Sequence, residues 1–258
     1  MSRYIPLSTE RFGDKRWTRF TDYRHAQPLH LVPIMAPEVS RLAGQLPLVF
    51  ARDGQGKVSL CALTGLTEHK NHCLNGNHRW QLSYVPAFLR THPFRLMAPP
   101  KGKGEPNQRV LCVDVESPWV GEQGEEAFLE GDQPTALVQE TLQALGKQAK
   151  HFALTERACQ VLMEAEVLTQ WPLTDHKGQP INGLLRLDEG KLAKVTPETL
   201  AKLHKSGALA MAYAQAISTH QLAALKHLAE TFDADYRHVD LDSVFGDGDD
   251  DLLFDFDN

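Results

Sequence analysis

The chain is poor in cysteine and pairs none of it closely. Its four cysteines stand at 61, 73, 112 and 159, with no C-x-x-C pair. Cys61, Cys112 and Cys159 lie in apolar runs and read as buried small hydrophobes with free thiols, the usage of a reducing cytoplasm. No run approaches the roughly 18 consecutive apolar residues that a membrane-spanning helix needs. Met1 to Glu10 lacks the apolar stretch of a secretory signal peptide. Positive charge is not in excess either: 27 Lys+Arg stand against 33 Asp+Glu, a net charge of −6. A generally basic nucleic-acid binder is excluded on that ground. The motifs of covalent and nucleotide chemistry are also missing. There is no G-x-S-x-G elbow, no Walker A loop and no G-x-G-x-x-G following a strand. Lys101-Gly102-Lys103-Gly104-Glu105-Pro106 is basic and Gly-rich, but no helix follows it to complete a phosphate cradle.

What is present is an ordinary globular composition, 42% hydrophobic over 258 residues, enough to bury a real core. The charge is unevenly spread. Residues 233–258 hold ten Asp, no Glu and only Arg237 as a cation, a net −9. The other 232 residues carry +3. Val244, Phe245, Leu252, Leu253, Phe254 and Phe256 are interspersed among these aspartates. The expected organisation is one α+β domain over 1–232 and an acidic tail over 233–258. Like-charge blocks repel themselves and are either solvated or docked on a partner surface.

Residues 1–35 read as an irregular arm mixing rings with cations, followed by a short helix over 38–45. Leu46–Ala51 and Lys57–Leu63 flank Asp53-Gly54-Gln55-Gly56 and read as a hairpin. Asn71–Leu74 and His78–Val85 read as two further strands about a type I′ turn at Asn75-Gly76. Arg109–Val115 is nearly all apolar and reads as a strand buried on both faces. Helical spacing begins after Gly131. One helix is expected from an Asp132 cap to Lys147, and a second over Leu154–Leu168, ended by Trp171-Pro172. A short strand fits Leu184–Leu187. Thr196-Pro197-Glu198 opens another helix, with Leu200 and Leu203 as its apolar face and Gly207 as its stop. A longer helix follows over Ala208–Glu230. Strands first and helices later make an α+β fold, mostly antiparallel in its N-terminal half.

Few constellations could carry chemistry. Glu68-His69-Lys70-Asn71-His72-Cys73 and His78 hold three His and one Cys, but at no zinc spacing, and His72 and Cys73 would point to opposite faces of a strand. His238-x-Asp240 has no downstream His to complete an iron triad. Gly246–Leu252 fits a single calcium-roll repeat, and one copy cannot stack. The helix pair at 196–230 presents Ala-Leu-Ala-Met-Ala-Tyr-Ala where a DNA-reading helix needs polar side chains, so it reads as a packed hairpin. No catalytic residue, metal ligand or cofactor is therefore expected.

The segment Trp80 to Phe94 is richer. A strand runs into a Pro-broken turn carrying Arg90, His92 and two Phe. Either it is a packed corner with Arg90 paired to a buried acid such as Asp114, or it lines a groove. Trp80, Tyr84, Arg90, His92 and Phe94 are the candidate binding residues. If the site were an enzyme's, Arg90 would hold a carboxylate or phosphate and His92 would act as acid or base beside Tyr84.

This segment also carries a family resemblance. Trp80, Tyr84-Val85-Pro86-Ala87 and Arg90-(x2)-Pro93-Phe94 resemble the central signature of the bacterial SapC-like family. Leu46–Phe50, Leu63-Thr64-Gly65-Leu66 and Gly131-(x2)-Pro134-Thr135 are similar to it as well. So are Leu187-Asp188-Glu189-(x)-Lys191-Leu192 and Leu203-His204-(x2)-Gly207-(x)-Leu209, and the likeness covers most of 1–230. It implies a Gram-negative bacterial protein linked with surface or uptake systems, and brings no catalytic residue or cofactor. The function expected is a non-catalytic binding or accessory protein with an aromatic-rich groove for a peptide or protein partner. An enzyme around Tyr84, Arg90 and His92 and a structural surface-layer component are the alternatives. No nucleic acid or membrane span is expected, and a homo-oligomer is left open. The expected location is the cytoplasm, with export lacking a Sec signal as the alternative.

Overall fold

The hairpin expected around Asp53 forms. The Asp53 carboxylate accepts hydrogen bonds from the backbone N–H of Gln55 and Lys57, both at 2.9 Å, and Gly56 takes the φ of +82° that closes the turn. The structure is a computed structural model and describes residues 3–99, 108–175 and 178–232. The acidic tail and most of the 101–108 loop lie outside the described residues.

Eight strands build two antiparallel sheets: β1 (Tyr4–Pro6), β2 (Leu31–Pro33), β3 (Leu48–Arg52), β4 (Val58–Leu63), β5 (Phe94–Met97), β6 (Val110–Asp114), β7 (Leu168–Gln170) and β8 (Leu184–Leu187). The larger sheet has the order β7-β8-β3-β4-β2, and the smaller β1-β6-β5. In β3–β4 the register runs from Leu48 opposite Ala62 to Arg52 opposite Val58. Leu48, Val49 and Phe50 are buried in succession, as are Leu60 to Leu63, so both faces of the large sheet are covered. The fold is α+β, with one departure from strands-then-helices. β7 and β8 come from the C-terminal half, and β8 pairs directly with β3 through Leu185 and Phe50.

The principal helices are α1 (Ala136–Glu164), α2 (Pro197–Lys205) and α3 (Ala208–Ser218). α1 replaces the two helices expected over 132–168. Thr135, not Asp132, is its N-terminal boundary residue. Its 29 residues span two apolar clusters. Val138 and Leu145 join Phe12, Trp17, Phe94 and Phe128 beside the small sheet. Ala158, Cys159 and Leu162 join the core of the large sheet. Leu145 and Thr155 lie about a quarter turn apart around the helix, so the buried stripe changes face midway. That change, together with Gly146, reads as a break in the sequence. The chain leaves α1 at Glu164, and Leu168 belongs to β7, so Trp171-Pro172 follows a strand.

Two further expectations are corrected. Asn71–Leu74 and His78–Val85 are not strands: Leu74 and Trp80 form an isolated bridge. The Asn75 side chain accepts from the N–H of Asn77 and Arg79 at 3.1 and 2.9 Å, and the positive φ falls on His78. This wider side-chain-built loop replaces the two-residue turn. In α2, which starts at the Thr196 cap as expected, Leu203 is buried while Leu200 is 43% exposed. The helix expected to 230 is interrupted by a tight turn at Thr219–Gln221, and residues 222–232 are again helical.

Candidate functional site

The first half of the Trp80–Phe94 segment is held by a carboxylate that sequence reading missed. Glu38 is 3% exposed. Its Oε2 accepts from the Met35 N–H at 3.0 Å. Its Oε1 accepts from the Tyr84 hydroxyl at 3.1 Å and the Ala87 N–H at 2.7 Å. Trp80 Nε1 donates to the Tyr84 carbonyl at 3.0 Å. The guanidinium groups of Arg41 and Arg90 lie 5.2 and 5.4 Å from the Tyr84 ring, and Arg90 Nη2 donates to its hydroxyl at 3.1 Å. Burial, with Glu38 beside it, raises the Tyr84 hydroxyl above its ordinary pKa. Arg90 therefore does not pair with Asp114. That carboxylate instead accepts from the backbone N–H of Arg3 and Glu116.

The second half turns inward. His92, 7% exposed, stacks on His25 with ring centroids 4.0 Å apart, and its Nε2 lies 2.8 Å from the Ser117 hydroxyl. His25 Nε2 lies 3.1 Å from the Leu89 carbonyl, which can only accept, so the His25 proton sits there. Its Nδ1 is buried without a partner. Burial pushes His25 down to about 4 and His92 down to about 3, so both rings are neutral at pH 7. Phe94 is fully packed, edge-on to Trp17 at 4.9 Å and Phe128 at 5.8 Å.

Beyond Arg90 the segment forms one wall of a groove along α1. Three cavities adjoin there. The first, about 450 Å³, is lined by Trp17, Arg19, Phe20, Arg90, His92 and Glu140 among others. The second, about 230 Å³, holds Phe88, Arg95, Arg109, Gln148 and Phe152. The third, about 420 Å³, holds Lys57, Glu156, Arg157 and Gln160. Thr91 lines the first two, and Ala153 and Glu156 line the last two, so neighbouring cavities share a wall. The row runs beside α1 from Leu137 to Met163, a helical rise of about 39 Å.

The groove is electrostatically one-sided. Arg19, Arg90, Arg95, Arg109, Arg157 and Lys57 line it, against Glu140 and Glu156. Lys57 and Glu156 pair at 2.7 Å. Among the described residues no acid pairs with the five arginines. Arg95 lies 3.7 Å above the Phe88 ring and donates through Nε to the Tyr4 hydroxyl at 2.8 Å. Trp17, 4% exposed, carries a buried Nε1–H with no partner. Cations over low-dielectric apolar walls attract an anionic ligand that also brings rings or aliphatic groups.

Base chemistry is weakly provided. Ser117 and His92 touch, but Ser117 does not line the cavity that His92 lines. A ring with its pKa pushed down to about 3 is also a poor base at neutral pH. Among the described residues no group of three His, Cys, Asp or Glu could hold a metal ion.

Of the five residues singled out by sequence, Arg90, His92 and Phe94 line the groove, while Trp80 and Tyr84 line none of its three cavities. Arg19, Arg95, Arg109 and the outer face of α1 had no local motif to mark them.

Comparison with known families finds one match: the family model described as SapC fits residues 7–225. No curated protein matches, and no solved structure matches. Among the described residues no helix is long and apolar enough to cross a membrane.

Proposed function

The chain belongs to the SapC family, and we propose that it is a non-catalytic binding or accessory protein of a bacterial surface or uptake system, taking a peptide or protein partner into the groove along α1. The observation that carries this reading is the row of three adjoining cavities with five arginines lacking an acidic partner among the described residues. A binding protein needs such unspent charge on an apolar floor, because a ligand then supplies the missing half of each pair. The length of the row suits an extended peptide of acidic and apolar residues. Arg90, His92 and Phe94 form its wall, while Trp80 and Tyr84 hold that wall in place. The enzyme reading is weaker, since Tyr84 does not line the cavity containing Arg90 and His92.

The test is fluorescence anisotropy with three labelled peptides of equal length: acidic with Leu and Phe, acidic with Ser, and basic with Leu and Phe. The acidic-apolar peptide binds best, weakens as salt is raised, and loses at least about tenfold in affinity when Arg95→Glu and Arg109→Glu are combined. Binding that ignores peptide charge, or that survives the double reversal, overturns the reading.

A further inference from the structure

We infer that this groove is occupied in the free protein by the chain's own segment Asp249–Asp257, so that an outside partner must displace it. The inference rests on the groove being a peptide site, as proposed above, and names its resident ligand.

Three features match. The first is charge. Asp249-Asp250-Asp251-Leu252-Leu253-Phe254-Asp255-Phe256-Asp257 carries five aspartates and no cation. The groove lining carries six cations and two acids. The whole chain repeats this asymmetry, with −9 over 233–258 and +3 over the remainder.

The second is apolar content. Leu252, Leu253, Phe254 and Phe256 are poorly suited to water in so charged a segment. The middle cavity offers Phe88, Leu96, Leu145 and Phe152 to receive them. Docking covers apolar surface on both sides while placing carboxylates beside guanidinium groups.

The third is length. Nine extended residues span about 30 Å, within the roughly 39 Å rise of α1 along the groove. The described chain reaches Phe232, leaving 16 residues before Asp249. Extended, they cover about 50 Å, against a radius of gyration of about 17 Å for a compact body of this size. A tether of that length would hold the segment at an effective concentration near the millimolar range, so a weak intrinsic affinity suffices.

The test uses full-length chains. One is the parent, and the other carries Leu252→Ser, Leu253→Ser, Phe254→Ser and Phe256→Ser, which keep every charge. A labelled synthetic peptide with the sequence of residues 249–257 is titrated into each by anisotropy, and hydrogen exchange is followed over 145–156. The substituted chain binds the peptide at least about tenfold more tightly than the parent, and its 145–156 stretch exchanges faster. Adding Arg95→Glu and Arg109→Glu abolishes binding to both. Equal affinity for both chains, with loss on arginine reversal, overturns the inference and leaves the peptide groove standing. No binding to either chain overturns both. A concentration-dependent dimer in the parent that the four substitutions dissolve places the segment in a second copy and overturns its docking within one chain.

Discussion

The two halves of the Trp80–Phe94 segment lie next to each other in sequence and do opposite work. From Trp80 to Ala87 every strong polar group named above has its counterpart: Glu38 takes three donors, and Trp80 Nε1 meets the Tyr84 carbonyl. From Arg90 onward the wall faces cations that no described acid neutralises and, behind Phe94, an indole N–H with no acceptor. Satisfied buried polarity marks a joint of the fold, because an unmatched group there would oppose folding. Beside a cavity, cations without an acidic partner among the described residues are what the proposed binding groove would offer a ligand. On that proposal, the difference separates scaffold from binding wall within fifteen residues of sequence.

The strongest way to break this contrast is at Glu38. Glu38→Ala leaves the Met35 and Ala87 N–H groups and the Tyr84 hydroxyl without their acceptor, and Met35 and Ala87 are themselves buried. The expected loss is about 3 to 5 kcal/mol, since each bond goes to a carboxylate oxygen and two of the three donors left behind, the Met35 and Ala87 N–H groups, are buried. Urea denaturation measures it. Arg90→Ala removes one exposed cation from the same tyrosine and should cost less than about 1 kcal/mol. Similar losses for the two variants would erase the distinction between joint and wall.

A second contrast lies in the His25–His92 stack, where burial makes stability depend on pH. In the unfolded chain each ring titrates near its ordinary value of about 6.5. In the fold, burial pushes them down to about 4 and about 3. Protons are therefore taken up by the unfolded state first. The contribution to stability is complete above about pH 6.5 and is lost as pH falls toward those folded values. At pH 5 the loss is on the order of 1 to 2 kcal/mol per ring. Replacing His25 by Phe keeps a ring in the stack and should shrink the drop in stability between pH 7.5 and 5 by that amount. An unchanged drop would mean that the pair does not carry the acid sensitivity.

How much of this could be read from the chain follows the range of the interactions. The β3–β4 hairpin and the start of α2 were legible because their signals are local: Asp53 binds the backbone two and four residues on, and Thr196 caps at Thr199. α1 departs from the two expected helices because each end serves a different core and its apolar stripe turns with them. Asn75-Gly76 departs from the expected two-residue turn because the Asn75 side chain organises that loop. Glu38 stands 46 residues from Tyr84, and no pattern in sequence announces that pairing. The groove is assembled from Arg19, Lys57, Arg90–Arg95, Arg109 and the outer face of α1, so its charge exists only after folding. Trp80, Tyr84, Arg90, His92 and Phe94 are close in sequence, and only the last three line the groove.

The smallest expected effect tests the meaning of unsatisfied polarity most directly. Trp17 is buried against Phe94 and Phe128, and an ordinary large-to-small change there would be costly. Its Nε1–H has no partner, so part of its burial is opposed by the desolvation of that group. Trp17→Phe removes the unmatched donor while keeping a ring in the cluster. The lost ring area and the relieved N–H nearly offset each other, and denaturation should show a change of less than about 1 kcal/mol in either direction. If the N–H instead serves a ligand in the adjoining cavity, the same variant binds the acidic-apolar peptide more weakly at unchanged stability. A stability loss of about 3 kcal/mol would place Trp17 with Glu38 among the joints and remove it from the wall.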